Sequence, residues 1–473
     1  MTVDYSEFLE TKAPSDSPTG LRRIPKLPSA LKPFQQDIVK WALKRGRAAL
    51  FEGTGLGKTV QQLAWARAVS NAEKAPILVL TPLAVAEQTV AEAERFGIKS
   101  VAYAADKSRI TTDIVVTNYE RFGRFDISQF SGVVLDESGI IKSHDGKTRT
   151  ELTDACRDLR WRLCCTATPA PNDYAELGQH AEFLGVMSAK EMLSMFFVHD
   201  GSIRANDDTQ GADGWRLKRH AAKDFWKWLA SWSVVIRHPR DIGHDEPGYD
   251  LPPLTFDETI VRAKMEPMAG MLFPFMAQTL SERIGVRRDT AADRVRAAVD
   301  VVLREPSEPW LIWCNLNSEA DEIESILRKS GHDALQVAGR HEIAVKVERL
   351  LGFKTGKPLH LISKPSLAGH GMNWQHCNRM VFVGLTDSFE QIYQAVRRCW
   401  RFGQTKPVNV HFVVSELEGN VVANVRRKED AFDKMLDAMA GHMSELTKTN
   451  LRGRGSKRTA YEPNIPMELP TWI

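Results

Sequence analysis

Leu50-Phe-Glu-Gly-Thr-Gly-Leu-Gly-Lys-Thr59 is the stretch on which the reading of this chain turns. Three glycines, Gly53, Gly55 and Gly57, alternate along it and run into a Lys-Thr pair. Residues 48–51 are apolar and read as the end of a buried strand, and residues 60–69, rich in Ala, Gln and Leu, read as a helix. Strand, glycine loop and helix in that order let backbone N–H groups converge on phosphate oxygens. In such a loop Lys58 reaches the β- and γ-phosphates of a nucleotide, and the Thr59 hydroxyl binds Mg²⁺. The strict G-x-x-x-x-G-K-[ST] form is not met, because Glu52 stands where its first glycine belongs. A plain glycine turn ahead of a helix is the competing reading, so the decision rests on residues further along.

At 473 residues the chain is too long for one core and has the length of roughly three domains. Its apolar and charged fractions are those of an ordinary globular protein. The net charge of +3 does not by itself argue for nucleic acid. Basic residues do cluster, at 216–219, 397–398, 426–428 and 452–458, where a solvated face and a binding surface are both open readings. Six cysteines lack any C-x-x-C spacing and read as buried thiols of a reducing compartment rather than zinc ligands. The polar, acidic N-terminus is unlike a secretory signal, and no apolar run reaches membrane-spanning length, so a cytoplasmic location is expected.

The expected organisation is a loose tail over 1–23, a first lobe over 24–240, a linker over 241–262, a second lobe over 263–447 and a basic, Pro-containing tail over 448–473. In the first lobe, short apolar runs at 77–80, 114–116, 133–135 and 163–165 alternate with helical stretches. They predict a parallel sheet covered on both faces, with ligands gathered beyond the carboxyl ends of its strands. Residues 185–240 are read as a helical, aromatic-rich insertion, either core or base-stacking surface. A second alternation, with strands at 310–313, 334–337, 359–362, 380–383 and 408–414, predicts a second parallel sheet, followed by helix from 416 to 447. The fold class is therefore α/β, with two parallel-sheet lobes in tandem.

Polar clusters fall at the predicted strand ends. Asp136-Glu137 ends one strand, so that one carboxylate can hold Mg²⁺ against Thr59 while the other polarises an attacking water. Phe34 and Gln35 start an amphipathic helix just upstream of the phosphate loop, where an aromatic ring and an amide suit a nucleobase; taken alone, the segment is also an ordinary helix. Gln394, Arg398 and Arg401 fall at i, i+4 and i+7 on one face of a helix predicted over 389–400, with Arg397 beside them. Guanidinium groups aimed at a transferring phosphoryl group are what an arginine finger requires; alone, the stripe also reads as a solvated face.

Together these motifs resemble, in order and rough spacing, the superfamily-two helicases and translocases. The nearest likeness is to the Swi/Snf-like branch, in a compact form of bacterial or phage type. Leu31-Lys-Pro-Phe-Gln35, Gly55-Leu-Gly-Lys-Thr-Val-Gln61, Asp136-Glu137, Thr166-Ala-Thr-Pro-Ala-Pro-Asn172, Leu251-Pro-Pro253, Gly369-His-Gly-Met-Asn373 and the run from Gln394 to Gln404 carry the likeness, which spans about residues 30–447. The resemblance implies RecA-like lobes with ATP and Mg²⁺ between them. Phe34, Gln35 and residues Gly53, Thr54, Gly55, Leu56, Gly57, Lys58 and Thr59 would bind ATP, with Gln35 selecting adenine. Thr59 and Asp136 would hold the metal, and Lys58, Asp136, Glu137, Arg398 and Arg401 would carry the reaction. Thr166, Thr168, Gly371, Asn373 and Gln394 would couple nucleotide state to grip on nucleic acid. Thr81, Pro82, Thr117, Asn118 and Ser363 would face one strand's backbone, so that affinity depends on salt and little on sequence.

The implied activity is a DNA-dependent ATPase that translocates on duplex DNA. A strand-separating helicase on DNA or RNA and a non-catalytic nucleic-acid scaffold are the alternatives. One departure bears on them. The acidic motif reads Asp136-Glu-Ser-Gly139, whereas the family usually carries histidine at its fourth position. Coupling between the lobes is therefore expected to rest on Lys142 or Thr168.

Overall fold

The structure, a computed structural model, describes residues 18–107, 110–142, 146–171, 173–199, 215–262, 289–368, 373–385, 388–416 and 421–451. The first lobe is built on seven strands: β1 (Arg47–Glu52), β2 (Ile77–Thr81), β3 (Val101–Tyr103), β4 (Ile114–Asn118), β5 (Gly132–Asp136), β6 (Trp161–Thr166) and β9 (Ser233–Ile236). They lie in the order β3-β4-β2-β5-β6-β1-β9, all parallel. Strands β2, β4, β5 and β6 are buried at every position, as continuous apolar runs covered by helices on both faces must be. Two hydrophobic clusters fill those faces, one around Phe51, Phe183 and Trp232, the other around Trp65 and Trp161, whose rings meet edge-on at 5.9 Å.

The region 185–240 is only partly helical. It contains a small antiparallel hairpin, β7 (Phe197–His199) with β8 (Trp215–Leu217), and it ends in β9, which joins the main sheet beside β1. Its aromatic residues Phe196, Phe225 and Trp232 are buried core. The short apolar run Ser233-Val-Val-Ile236 follows directly on the helix Ala222–Trp232, which hides it from periodicity.

The second lobe's sheet has the order β10-β15-β14-β11-β13-β12, again all parallel. Its strands are β10 (Leu254–Val261), β11 (Trp310–Cys314), β12 (Ala334–Val337), β13 (His360–Ser363), β14 (Arg379–Val383) and β15 (Val408–Ser415). Strand β10 lies inside the stretch expected to be linker. It is an edge strand of alternating exposure, paired with β15 from Leu254↔Val408 to Val261↔Ser415. Arg294 and Glu319 form an ion pair sealed in this lobe, and Glu319 Oε2 also accepts the Asn315 and Leu316 N–H groups at 3.2 and 3.0 Å. A buried charge pair is tolerated when its remaining valences are met in this way.

The helix Val421–Leu451, expected to belong to the second lobe, crosses back onto the first. Trp226 stacks on His442 with centroids 5.1 Å apart, and Asn450 Nδ2 donates to Ala230 O at 2.9 Å. Near its other end Phe432 packs on Phe389 and Tyr393 of the second lobe. All six cysteines are buried and free. Among the described residues no helix is long and apolar enough to cross a membrane.

Candidate nucleotide site and lobe interface

Strand β1 delivers the chain into the loop 53–57. Gly55 and Gly57 adopt φ of +91° and +86°, which only glycine takes without strain. Gly57 then caps the helix Lys58–Glu73, leaving the helix N-terminus turned toward the loop. The neighbouring strand β9 braces the turn, since Gly53 N donates to Ile236 O at 2.9 Å. Lys58 Nζ donates to the loop's own carbonyls, Glu52 O at 2.8 Å and Gly53 O at 3.3 Å, so it is held over the hollow a phosphate would enter.

Glu52 is fully buried. Gln61 Nε2 donates to its Oε2 at 2.7 Å, and burial pushes its carboxyl up to about 7 against the opposing pull of Lys58. Asp136, at the end of β5, is raised as well, first by burial and then by the charge of Glu137, with Lys58 and Gln62 opposing. Glu137 itself holds a φ of +52°, a strained conformation for a residue with a side chain, of the kind that collects at functional sites. Two residues that the sequence reading did not single out fix this turn: Tyr119 Oη donates to Asp136 O at 2.7 Å, and Ser138 Oγ pairs with the buried His180 Nε2 at 3.1 Å.

Glu137 connects onward through β6. Thr166 Oγ1 donates to Glu137 Oε2 at 3.5 Å and accepts from Thr168 N at 3.1 Å, and Thr168 Oγ1 donates to Glu390 Oε1 of the second lobe at 3.3 Å.

The second lobe closes the site from the other side. The helix Phe389–Val396 stops four residues short of the expected end, so Arg398 and Arg401 sit on the turns that follow rather than on a helical stripe. The cause is local: Arg398 folds back, Nε donating to Gln394 O at 3.0 Å and Nη2 to Gln394 Oε1 at 3.1 Å. Gln394 thereby orients the arginine. Burial lowers Arg398 to about 10, with Arg401 adding to the fall and Glu137 and Asp136 opposing it. Burial also lowers Arg401, with Glu92 and Glu137 opposing. Arg398 thus feels the charge of Glu137 and Asp136, and Arg401 that of Glu137. Arg397 is occupied elsewhere, between the rings of Tyr393 and Trp400.

Several expected contacts do not match the geometry. Phe34 is wholly buried, its ring edge-on to Tyr249 at 5.4 Å, so it is core and does not face a nucleobase. Gln35 donates from Nε2 to Leu56 O at 2.8 Å and accepts the Lys32 N–H at 2.9 Å, which makes it a clasp on the phosphate loop. Thr81, Thr117, Asn118 and Ser363 are buried, and the Thr81 and Ser363 hydroxyls bond neighbouring backbone carbonyls. Thr81 and Ser363 thus brace strand ends, whereas Thr117 Oγ1 and Asn118 Oδ1 are buried atoms with no hydrogen-bond partner among the described residues. Pro82 and Asn373 line an inter-lobe cavity of about 1050 Å³, which Arg95 and Arg121 enter from one lobe and Lys346 and Lys354 from the other. Acidic side chains share that wall, so its charge is mixed. Gly371 and the side chain of Lys142 lie outside the described residues.

The residues fit a Mg²⁺-nucleotide. Thr54 Oγ1 in the loop and Arg401 Nε in the opposing turn are buried polar atoms with no hydrogen-bond partner among the described residues, and desolvation makes such atoms costly until a ligand meets them. Asp136 and Thr59 supply the oxygen donors a hard divalent cation takes.

A phosphate loop on one parallel-sheet lobe, faced by buried arginines from a second, defines a two-lobe nucleotide-driven motor core. Residues 34–210 match the model of the SNF2-related domain and residues 293–403 that of the helicase conserved C-terminal domain, together more than half of the chain, which belongs to the Snf2-like branch of the superfamily-two helicases. It is 24% identical over 487 residues to the mouse DNA annealing helicase and endonuclease ZRANB3, covering 95% of this chain and 43% of that protein. It is likewise 24% identical over 416 residues to a Xenopus tropicalis SWI/SNF-related matrix-associated actin-dependent regulator of chromatin subfamily A-like protein 1, covering 83% of this chain and 43% of that protein. The chain therefore spans less than half the length of these two relatives. The solved Sulfolobus solfataricus SWI2/SNF2 ATPase core in complex with dsDNA is similar at 19% identity and a TM-score of 0.41, over 91% of this chain and 98% of that one.

Proposed function

We propose that this chain hydrolyses ATP in a nucleic-acid-dependent manner and converts the cycle into movement along duplex DNA. The observation that carries the reading is the composite arrangement: Lys58, Asp136 and Glu137 on one lobe, with Arg398 and Arg401 buried on the other in a turn whose Phe402 lies against Gly55 of the phosphate loop, Arg398 feeling the charge of both carboxylates and Arg401 that of Glu137. Glu137 would accept the proton of the attacking water, Lys58 would leave its loop carbonyls for the β/γ-phosphates, and the two arginines would offset the negative charge that develops between the lobes. Mg²⁺, held by Thr59 and Asp136, would supply charge neutralisation on the phosphate oxygens. Because the arginines and the phosphate loop sit on different lobes, the site is complete only when the lobes meet, and hydrolysis then biases opening against closing.

Names of relatives that act on DNA support DNA as the track, with the duplex as the form proposed here. Contacts there would fall on phosphate and sugar, with the salt dependence that counterion release imposes. The test is phosphate release measured with no nucleic acid, duplex DNA, single-stranded DNA and RNA. Stimulation by duplex DNA is expected, and a rate indifferent to every nucleic acid would overturn the reading.

A further inference from the structure

Gly139 leaves a gap beside the catalytic turn, and the second lobe fills it. A Cβ placed on Gly139 would lie 3.4 Å from Glu390 Oε1 and 3.5 Å from Thr168 O, so any longer side chain there would need the room that the Glu390 carboxylate now takes. Glu390 stands in the first turn of the helix Phe389–Val396, four residues ahead of Gln394, the residue that orients Arg398. Its Oε1 accepts from Thr168 Oγ1 at 3.3 Å, and Thr168 leads through Thr166 to Glu137. Glu137, Gly139, Thr166 and Glu390 also share the wall of the inter-lobe cavity.

We infer that Glu390 is a positioning residue: across the lobe boundary it holds Thr168, and through Thr166 sets the orientation of Glu137, so that the carboxylate is aimed only when the second lobe is docked. Three features carry this. The contact joins residues 222 apart in sequence and on opposite lobes. The chain of bonds ends on a residue whose backbone is already strained at φ +52°, so its aim depends on its supports. And the same short helix carries Glu390 and the Gln394 that orients Arg398, so one rigid element sets both halves of the site. Glu390 touches neither nucleotide nor water in this scheme and acts on Glu137 through Thr168.

The inference rests on the ATPase reading above, and the two fail separately. Wild-type turnover that is indifferent to every nucleic acid sinks the ATPase reading. A stimulated wild type with an unaffected Glu390 variant sinks this one alone. The experiment compares steady-state ATP turnover with saturating duplex DNA for wild type, Glu390→Ala, Glu390→Gln, Thr168→Val and the Glu390→Ala/Thr168→Val pair. Glu390→Ala should lose about tenfold in kcat, while KM for ATP stays within about twofold. Glu390→Gln, which keeps the accepting oxygen, should restore most of the loss. Thr168→Val should match Glu390→Ala, and the double variant should be no worse than either, because both cut the same connection. Wild-type kcat in Glu390→Ala, equal losses in Glu390→Ala and Glu390→Gln, or losses that multiply in the double variant would each overturn it.

Discussion

Phe402 of the second lobe lies directly against Gly55 of the phosphate loop: a Cβ on Gly55 would come within 2.8 Å of the Phe402 backbone nitrogen. Phe402 follows Arg401, so the turn carrying the second arginine closes onto the loop that would hold the phosphates. Gly55 is thus constrained twice, by its φ of +91° and by its neighbour across the interface. Gly55→Ala is expected to cut stimulated turnover at least ~10-fold. A left-handed backbone costs an L-residue about 1–2 kcal/mol, and the added methyl holds the lobes apart. Near-wild-type phosphate release from this variant would mean that the lobes do not meet through Phe402 during turnover.

Lys58 and Glu137 separate binding from chemistry. Lys58 bonds to loop carbonyls that a phosphate would relieve it from, so Lys58→Ala should weaken binding of a fluorescent ATP analogue and abolish turnover. Glu137→Gln leaves the loop intact. It should keep analogue affinity and lose turnover by about 10²–10⁴-fold, the range a general base contributes. Circular dichroism of both variants should match wild type.

The central parts of both sheets were legible in the amino-acid order because their strands are fully buried, and burial on both faces leaves unbroken apolar runs such as 77–80 and 133–135. Edge strands were not. Leu254–Val261 is half exposed, so it alternates like a polar segment between lobes, and Ser233–Ile236 is four residues long and continuous with a helix. The residues of the proposed site, Lys58, Asp136, Glu137, Arg398 and Arg401, stood out in the amino-acid order because each lies in a motif at a predicted strand or helix end. What the motifs did not convey is direction. Phe34, Thr81 and Ser363 sit where their motifs put them in the chain, but their side chains turn inward. Glu390 carried no signal, since its importance arises from meeting Thr168 across a boundary that spacing does not encode.

Glu52 makes stability depend on pH. Burial raises its carboxyl from the usual 4.5 to about 7. Between those values the folded chain keeps a proton that the unfolded chain has lost, so this contribution to stability falls as pH rises from about 4.5 to about 7 and is then constant. Glu52→Gln removes the titration. The variant should gain on the order of 2–3 kcal/mol relative to wild type at pH 8, and much less at pH 5, in urea unfolding without nucleotide. An equal difference at the two pH values would refute the assignment. Asp136, raised for the same reason, adds a ligand-linked effect. Binding of Mg²⁺-nucleotide near pH 6 should release a proton, seen as a dependence of calorimetric heat on the buffer's ionisation enthalpy.

Arg237 ties the C-terminal helix to the first lobe from just beyond β9. Its Nη2 meets Asp433 Oδ1 at 2.7 Å, and its Nη1 meets Asp437 Oδ1 at 2.7 Å and Asp433 O at 3.1 Å. The arginine side chain is 26% exposed and Asp437 70% exposed, so solvent screens much of the attraction. Two such pairs and a backbone bond are together worth about 1–2 kcal/mol. Trp226, nearly buried and stacked on His442, holds the same helix by packing, and truncating it should cost about 3 kcal/mol. The helix also packs on Phe389 and Tyr393 through Phe432, so it bridges the two lobes. Arg237→Ala should therefore speed hydrogen exchange along Val421–Leu451 while leaving β1, β5 and β6 protected. Trp226→Ala should do so more strongly and also lower Tm. Arg157→Ala breaks the exposed pair with Asp154 at 2.7 Å and tests whether any lost surface ion pair has this effect. It should change neither exchange nor Tm, and equal exchange in all three variants would show that the helix is not held at Arg237.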